Sequence, residues 1–457
     1  MLFFIKVCCI VADSASNVKS AIHKFPDHVE KIACCCHRIN LCANDLFKIV
    51  NVKERIVNDE IIFSVFDYNE DDELRKIIIS KERKEEIELT NSFKEILNSA
   101  ITKCKHLVSS FRHSDKLLRI YKEKQEYYQL PRKIKLVQCV PTRWNSVLDM
   151  INSILINKEV LCSMAVDRQC NCIKNYVPND NEFSVLKDLA VLLEPLKELT
   201  VLLSGHQYNT ISLLYPGIYY LLNKGLIDIE IESREIKNLK TVLKSSLTKR
   251  FRNVFSNDLF IAATFLNYKY KKLQFIENEV DRLSALNKAR QYLNTKFNNS
   301  CFNNLSVSPS TSQINLSVSS GSSSSFTQQP LTPLENQTRE KPKKRTFLDK
   351  IADKKVPQIT IPRNELETEI SEYEIHDFSL DESLDESDSS LVFFKMNKNK
   401  YKILGSIAKR IFCIPSSSVP VESLFSDCGQ TASELRTKLT PLNLKSCVFY
   451  KVNRRYF

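Results

Sequence analysis

Apolar residues recurring at helical spacing from about residue 50 to 300 constrain this chain more than any other feature. In "SVLDMINSILINKEVL", Val147, Met150, Ile151, Ile154 and Leu155 fall on one stripe, the pattern of a helix with one face in a core. "FSVLKDLAVLLEPLKELTVLLS", "TISLLYPGIYYLLNKGL" and "DLFIAATFLNYKYKKLQF" repeat the same logic. An all-α region over 51–301, packed on itself, is the reading that accommodates them.

The segment before it has another character. Residues 3–12 form a continuous apolar run with β-branched members, as in a strand buried on both faces. It begins abruptly at Met1, as if part of a sheet lay upstream, and Asp13 closes it. A run of about a dozen residues is too short to span a bilayer. "SASNVKSAIHKF" predicts a short capped helix ending near Pro26. "KIACCCH" is a second apolar run, and "RINLCANDLFKIV" continues with helical spacing. Strand, helix, strand, helix over 1–50 is α/β in character.

After residue 301 the chain changes again. The Ser/Asn/Thr/Gln tract of residues 302–338 has too little apolar content to order itself. "KPKKR", Lys341–Arg345, has the composition of a nuclear import signal, and an acidic stretch that starts at "ELETEISEYEI" reads as a solvated segment. Residues 302–390 are therefore expected to be a linker. Order resumes at "SLVFFKM", giving a helical segment over 391–457.

The net charge of +12 favours a polyanionic partner. Fifteen cysteines, an odd number with several adjacent, suit a reducing compartment rather than a disulfide framework. With 6 glycines and neither GxGxxG nor a Walker motif, glycine-rich phosphate loops are disfavoured. No segment has the length of a membrane helix, and neither a membrane nor a small-molecule substrate is expected.

Single residues are ambiguous on their own. Asp13 could cap the following helix, and Glu422 in "CIPSSSVPVESLFSDCG" could answer a helix dipole. Cys34 and His37 have metal-ligand spacing, but zinc needs four ligands and no second pair stands at convincing spacing. They read as a buried structural pair. Arg132, Lys133, Lys135 and Arg143 are placed for phosphate contacts. Trp144, the single tryptophan, either fills the helical core or stacks on a base.

An ordered series of blocks resembles the hAT-superfamily transposases and their BED-type zinc-finger relatives. The blocks are "ADSASNV", "CCCHRINL", "PTRWNSVLDMI", "LSGHQYNTISLLYP", "FLNYKYKKLQF" and the C-terminal segment from "YKILGSIAKRIF" onward, in the family's order. Departures include Ala12 before Asp13, Asn267-Tyr268-Lys269 in the fifth block and Phe393-Phe394 for a usual Trp pair. The resemblance implies an RNase H-like core, incomplete at the N-terminus here, interrupted by a large helical insertion. The C-terminal dimerisation region, 391–457, would complete that core.

In such a core three carboxylates hold divalent metals for DNA strand transfer. The resemblance makes Asp13 the second and Glu422 the third, with Mg²⁺ as metal if the core is completed. The first is expected tens of residues upstream of Asp13, and the twelve residues present include no acid. A transposase-derived, non-catalytic nuclear protein that binds DNA and forms homodimers or higher oligomers is the leading expectation, with no cofactor in this chain. The alternatives are an active transposase whose N-terminal exon is missing here, and a protein-interaction scaffold without DNA binding.

Overall fold

A computed structural model describes residues 9–13, 16–26, 29–57, 60–68, 74–130, 134–140, 143–226, 233–298, 365–376, 390–432 and 439–454. The 302–338 tract and the basic pentamer Lys341–Arg345 lie outside the described residues.

Strand β1 (Cys9–Ala12), helix α1 (Ser16–Ile22) and strand β2 (Glu30–Ala33) form a βαβ unit. The strands pair in parallel, Cys9 opposite Glu30 through Ala12 opposite Ala33. Helix α2 (Cys35–Asp45) follows and buries Cys35, Cys36, Ile39, Cys42 and Ala43. The predicted α/β order holds here. The described residues of β1 are half-buried, so its contribution to the core is smaller than that of a strand covered on both faces.

The helical expectation from residue 51 needs a correction. Strands β3 (Val52–Val57), β4 (Glu60–Tyr68) and β5 (Leu74–Ile79) form an antiparallel sheet in that order. The stretches "VKERIV", "EIIFSVFDY" and "LRKIII" are rich in β-branched and aromatic residues, which fit a pleated, half-buried surface.

The rest of the insertion is helical: α3 (Lys81–Arg112), α4 (Asp115–Tyr127), α5 (Asn145–Ile156), α6 (Lys158–Ala165), α7 (Asp180–Leu203), α8 (Ile211–Tyr220), α9 (Arg234–Arg250), α10 (Arg252–Ser256), α11 (Asp258–Leu266) and α12 (Glu279–Asn298). The long α7 starts with a capping box between Asn179 and Glu182 and buries a leucine stripe. Gly217 lets α8 approach it closely, since a Cβ there would lie 2.4 Å from Leu199 Cδ1. Along α3, three polar side chains clamp the chain leaving α2. Asn91 exchanges two hydrogen bonds with the backbone of Val50, Lys94 donates to the carbonyls of Asp45 and Lys48, and Asn98 donates to that of Phe47. Of these acceptors, the Asp45 carbonyl is one that the end of α2 leaves open.

The acidic stretch gives a second correction. Its beginning is not solvated but forms a docked helix, α13 (Glu365–Ile375), with Leu366, Ile370 and Tyr373 buried. The stripe at i, i+4, i+7 is masked in sequence by the acids between its members. Tyr373 donates to the Leu266 carbonyl at 2.8 Å, and Lys271 Nζ donates to the Tyr373 carbonyl at 2.8 Å. Arg290 grips Glu374 through two bonds of 2.6 Å. Helices α14 (Ser390–Met396) and α15 (Lys402–Phe412) pack beside it. Glu369 accepts from the Ile403 and Leu404 amides at the start of α15, where the dipole favours a carboxylate. Tyr373, Phe393, Phe394 and Tyr401 form one buried aromatic cluster. Among the described residues the C-terminal helices therefore start at 365 rather than 391.

Two helices close the chain, α16 (Val419–Thr431) and α17 (Pro441–Asn453). If α13 is docked as described, Leu366→Ala should lower stability by about 2–5 kcal/mol. Tyr373→Phe should cost about 1–3 kcal/mol by leaving a buried carbonyl without its donor. The exposed change Glu367→Ala should stay within about 0.5 kcal/mol. Denaturant melts of the three variants check this, and equal midpoints for Leu366→Ala and Glu367→Ala would place α13 off the core.

Candidate functional site

The carboxyl ends of β1 and β2 carry Asp13 and Cys34. The Cys34 amide donates to the Ala12 carbonyl, extending the parallel pairing by one residue. Cys34, Cys35 and Cys36 are all buried at the start of α2. They face the segment Ser416-Ser417-Ser418, which joins α15 to α16. The Cys35 amide donates to the Ser416 carbonyl at 3.1 Å, and the Ser418 amide donates to Cys34 Sγ at 3.3 Å.

The third side of this junction is the end of α7. The hydroxyls of Ser416 and Ser417 both donate to the Leu203 carbonyl, at 3.2 and 3.1 Å. Cys36 Sγ lies 3.4 Å from Ser204 Oγ, and the Ser416 amide donates to Thr210 Oγ1 at 2.9 Å. Farther along, Ser212 Oγ, Asn267 and Ser390 form a buried chain of hydrogen bonds of 2.9 and 3.0 Å. Four stretches far apart in sequence, around residues 34–37, 203–212, 267 and 414–420, thus meet in one network.

Glu422 sits in the first turn of α16, exposed, and its carboxylate accepts from Ser418 Oγ at 2.9 Å. Asp13 is half-buried at the end of β1. A short series of contacts, from Ala12 to Cys34 to Ser418 to Glu422, brings both carboxylates to the same end of the parallel pair.

The thiols differ sharply. Burial pushes Cys34 up and Cys35 further up. The Cys35 thiol donates to Cys36 and, with the hydroxyls of Ser204 and Ser417, holds it down at about 7 against the effect of burial. A thiolate there would stand in the first turn of a helix, the favourable end for negative charge. His37 is half-buried next to them. Cys34 spends its sulfur on the Ser418 amide.

Among the described residues no three Asp, Glu, His or Cys side chains come together as a metal site. Asp13 and Glu422 alone do not make a donor set for a pair of Mg²⁺ ions, so no step through a metal is derived.

The basic candidates lie elsewhere. Lys135 and Arg143 are exposed in the segment before α5, and Trp144 is 6% exposed, within the helical core. The Ser146 hydroxyl accepts from the Val140 amide and donates to the Arg143 carbonyl at 2.6 Å, tying the two together. Arg132 and Lys133 lie outside the described residues. Ser416 and Ser417 were not candidates from sequence: nothing in a polar "SSS" announces burial at 0% and 1% exposure.

Beyond the junction the chain opens. Helices α16 and α17 pack chiefly on each other. They expose Val421, Phe425, Leu442, Phe449 and Tyr450, with Phe425 69% and Tyr450 63% exposed. Residues 365–453 match the hAT family C-terminal dimerisation region.

The chain carries a hAT-family dimerisation region. The matched span starts where α13 starts and takes in the aromatic cluster, the Ser416–Ser418 junction and the open hairpin. Over 369 residues, 81% of its length, the chain is 22% identical to zinc finger BED domain-containing protein 4 of Homo sapiens, covering 28% of that protein. Over 138 residues it is 31% identical to the putative AC transposase of Zea mays, covering 29% of this chain and 16% of that protein. The chain thus spans less than a third of the length of these curated relatives. No helix among the described residues is long and apolar enough to cross a membrane.

Proposed function

We propose that this is a transposase-derived protein that self-associates through its C-terminal hairpin and binds DNA in the nucleus without catalysing strand transfer. The exposed apolar face of α16 and α17 within a matched dimerisation region carries this reading. Val421, Phe425 and Cys428 recur at i, i+4, i+7 on one helix, and Leu442, Ser446 and Phe449 on the other. An amphipathic hairpin anchored at its base by buried hydrogen bonds offers such a face to a second copy at little ordering cost.

The βαβ unit is, in this reading, part of an RNase H-like core, with Asp13 and Glu422 as inherited carboxylate positions at its ligand-facing end. For DNA, the support is the net charge of +12 and the exposed Lys135 and Arg143 in the segment that leads to the buried Trp144. The basic pentamer Lys341–Arg345 supports nuclear residence.

Light scattering at micromolar concentration should report a dimer or larger assembly. Phe425→Glu with Tyr450→Glu should convert it to a monomer while far-ultraviolet circular dichroism stays unchanged. A parent protein that is monomeric throughout the range would remove the self-association claim. Anisotropy titrations on a labelled duplex should show affinity falling steeply with salt. Lys135→Glu with Arg143→Glu should reduce the log–log slope by about 1–2. No binding at low salt would leave a protein-interaction scaffold as the better reading.

A further inference from the structure

A cavity of about 710 Å³ opens between the β3–β5 sheet and helices α3 and α9. It lies apart from the cysteine–serine junction and from the hairpin, and neither the strand-transfer ancestry nor self-association uses it. Its volume falls within the range of small-molecule sites.

The cavity is two-sided in chemistry. The register pairs Val65 with Ile77 and Phe63 with Ile79, so Val65, Ile77 and Ile79 share one sheet face, and all three line the cavity. Ile87 of α3 and Val242 of α9 complete an aliphatic wall. Lys94, also lining it, is 1% exposed. Two of its three N–H groups go to the carbonyls of Asp45 and Lys48, at 3.0 and 2.9 Å, which leaves one donor of the ammonium. Burial pulls this lysine down to about 8, although Asp45 favours its charged form.

The charges of the lining point to the sign of a ligand. Among the described residues, six lysine and arginine side chains line the cavity against three acids. Each acid already pairs with a lining cation: Asp45 with Arg250 at 3.0 Å, Asp67 with Lys249 at 2.7 Å and Glu86 with Arg83 at 2.5 Å. Among the described lining residues the cations outnumber the acids by three, and the Asp45 carboxylate, the acid that acts on Lys94, already takes bonds from Arg250 and Ser246. A buried ammonium is costly without an anionic partner. An anion on its remaining donor would offset that cost, and the aliphatic wall would take an apolar body.

We propose that this cavity binds an amphipathic monoanion, an aliphatic chain bearing a single carboxylate, with its head on Lys94 and its chain along Val65, Ile77, Ile79 and Val242. Charge selects the head and the branched aliphatic wall selects the tail. A neutral molecule of the same length gains only the second contribution.

Calorimetric titration of the full chain with decanoate, decanol and acetate tests this. Decanoate should bind one per chain, decanol about tenfold or more weakly, as expected for loss of a hydrogen bond to a charged group. Acetate should not register. Lys94→Met should bring decanoate down to the level of decanol. Because Lys94 also caps the end of α2, a second variant keeps the test open. Val242→Trp fills the cavity from α9 without touching that cap, and should remove binding of both ligands. It also separates the cavity from the apolar hairpin, which this variant leaves intact. Equal affinity for decanoate and decanol, decanoate binding unchanged in Val242→Trp, or no decanoate binding at all would overturn the proposal.

Discussion

The structure depends on the hydrogen bonds between Cys34–Cys36 and Ser416–Ser418. The Ser418 amide and the Cys34 sulfur are 384 residues apart in sequence. Loop-closure cost grows only slowly with length, so what matters is whether every polar group buried there is satisfied. Each is met from a different direction. The Ser416 carbonyl takes the Cys35 amide, and the two serine hydroxyls take the Leu203 carbonyl that the end of α7 would otherwise leave open. A single unpaired group at this depth would cost about 1–3 kcal/mol. The hydroxyls of Ser416 and Ser417, buried yet paired, explain why so polar a stretch can lie within the fold.

That junction also decides what is rigid and what is presented. On one side, α2 is locked to α9 through Asp45, which takes bonds from Ser246 and Arg250. The helical body follows from there. On the other side, α16 leaves the junction directly, so the apolar face of the hairpin starts from a fixed base. The aromatic cluster around Tyr373 plays the same part for α13–α15. A dimerisation region that includes both is consistent with this division, in which the base is folded into the protomer while α16 and α17 carry exposed apolar side chains.

Much of this was legible in residue patterns. The strand–helix–strand–helix order of the first fifty residues and the long helices of the middle appeared where apolar periodicity placed them. The register of family blocks points to a C-terminal dimerisation region, and the same register marks Asp13 and Glu422, which the fold brings to one end of the parallel pair. Periodicity failed at two places for identifiable reasons. The β3–β5 sheet was absorbed into a helical reading because its short strands sit between a helix and a longer helix of mixed composition. The stripe Leu366, Ile370 and Tyr373 was hidden by the net acidity of its helix. Charge reports solvation only when no apolar face runs through it. The burial of Ser416 and Ser417 had no local signal, because it is created by partners hundreds of residues away.

Native-state amide hydrogen exchange tests the junction most directly. With the C-terminal segment docked as described, the Cys35 and Ser418 amides should exchange only through global unfolding, with the same free energy as the core of α7. The amides in the last turns of α17 should exchange through local opening at far lower free energy. If Cys35 and Ser418 exchanged as readily as the last turns of α17, the C-terminal region would not be anchored to the βαβ unit, and the account would fail at its base.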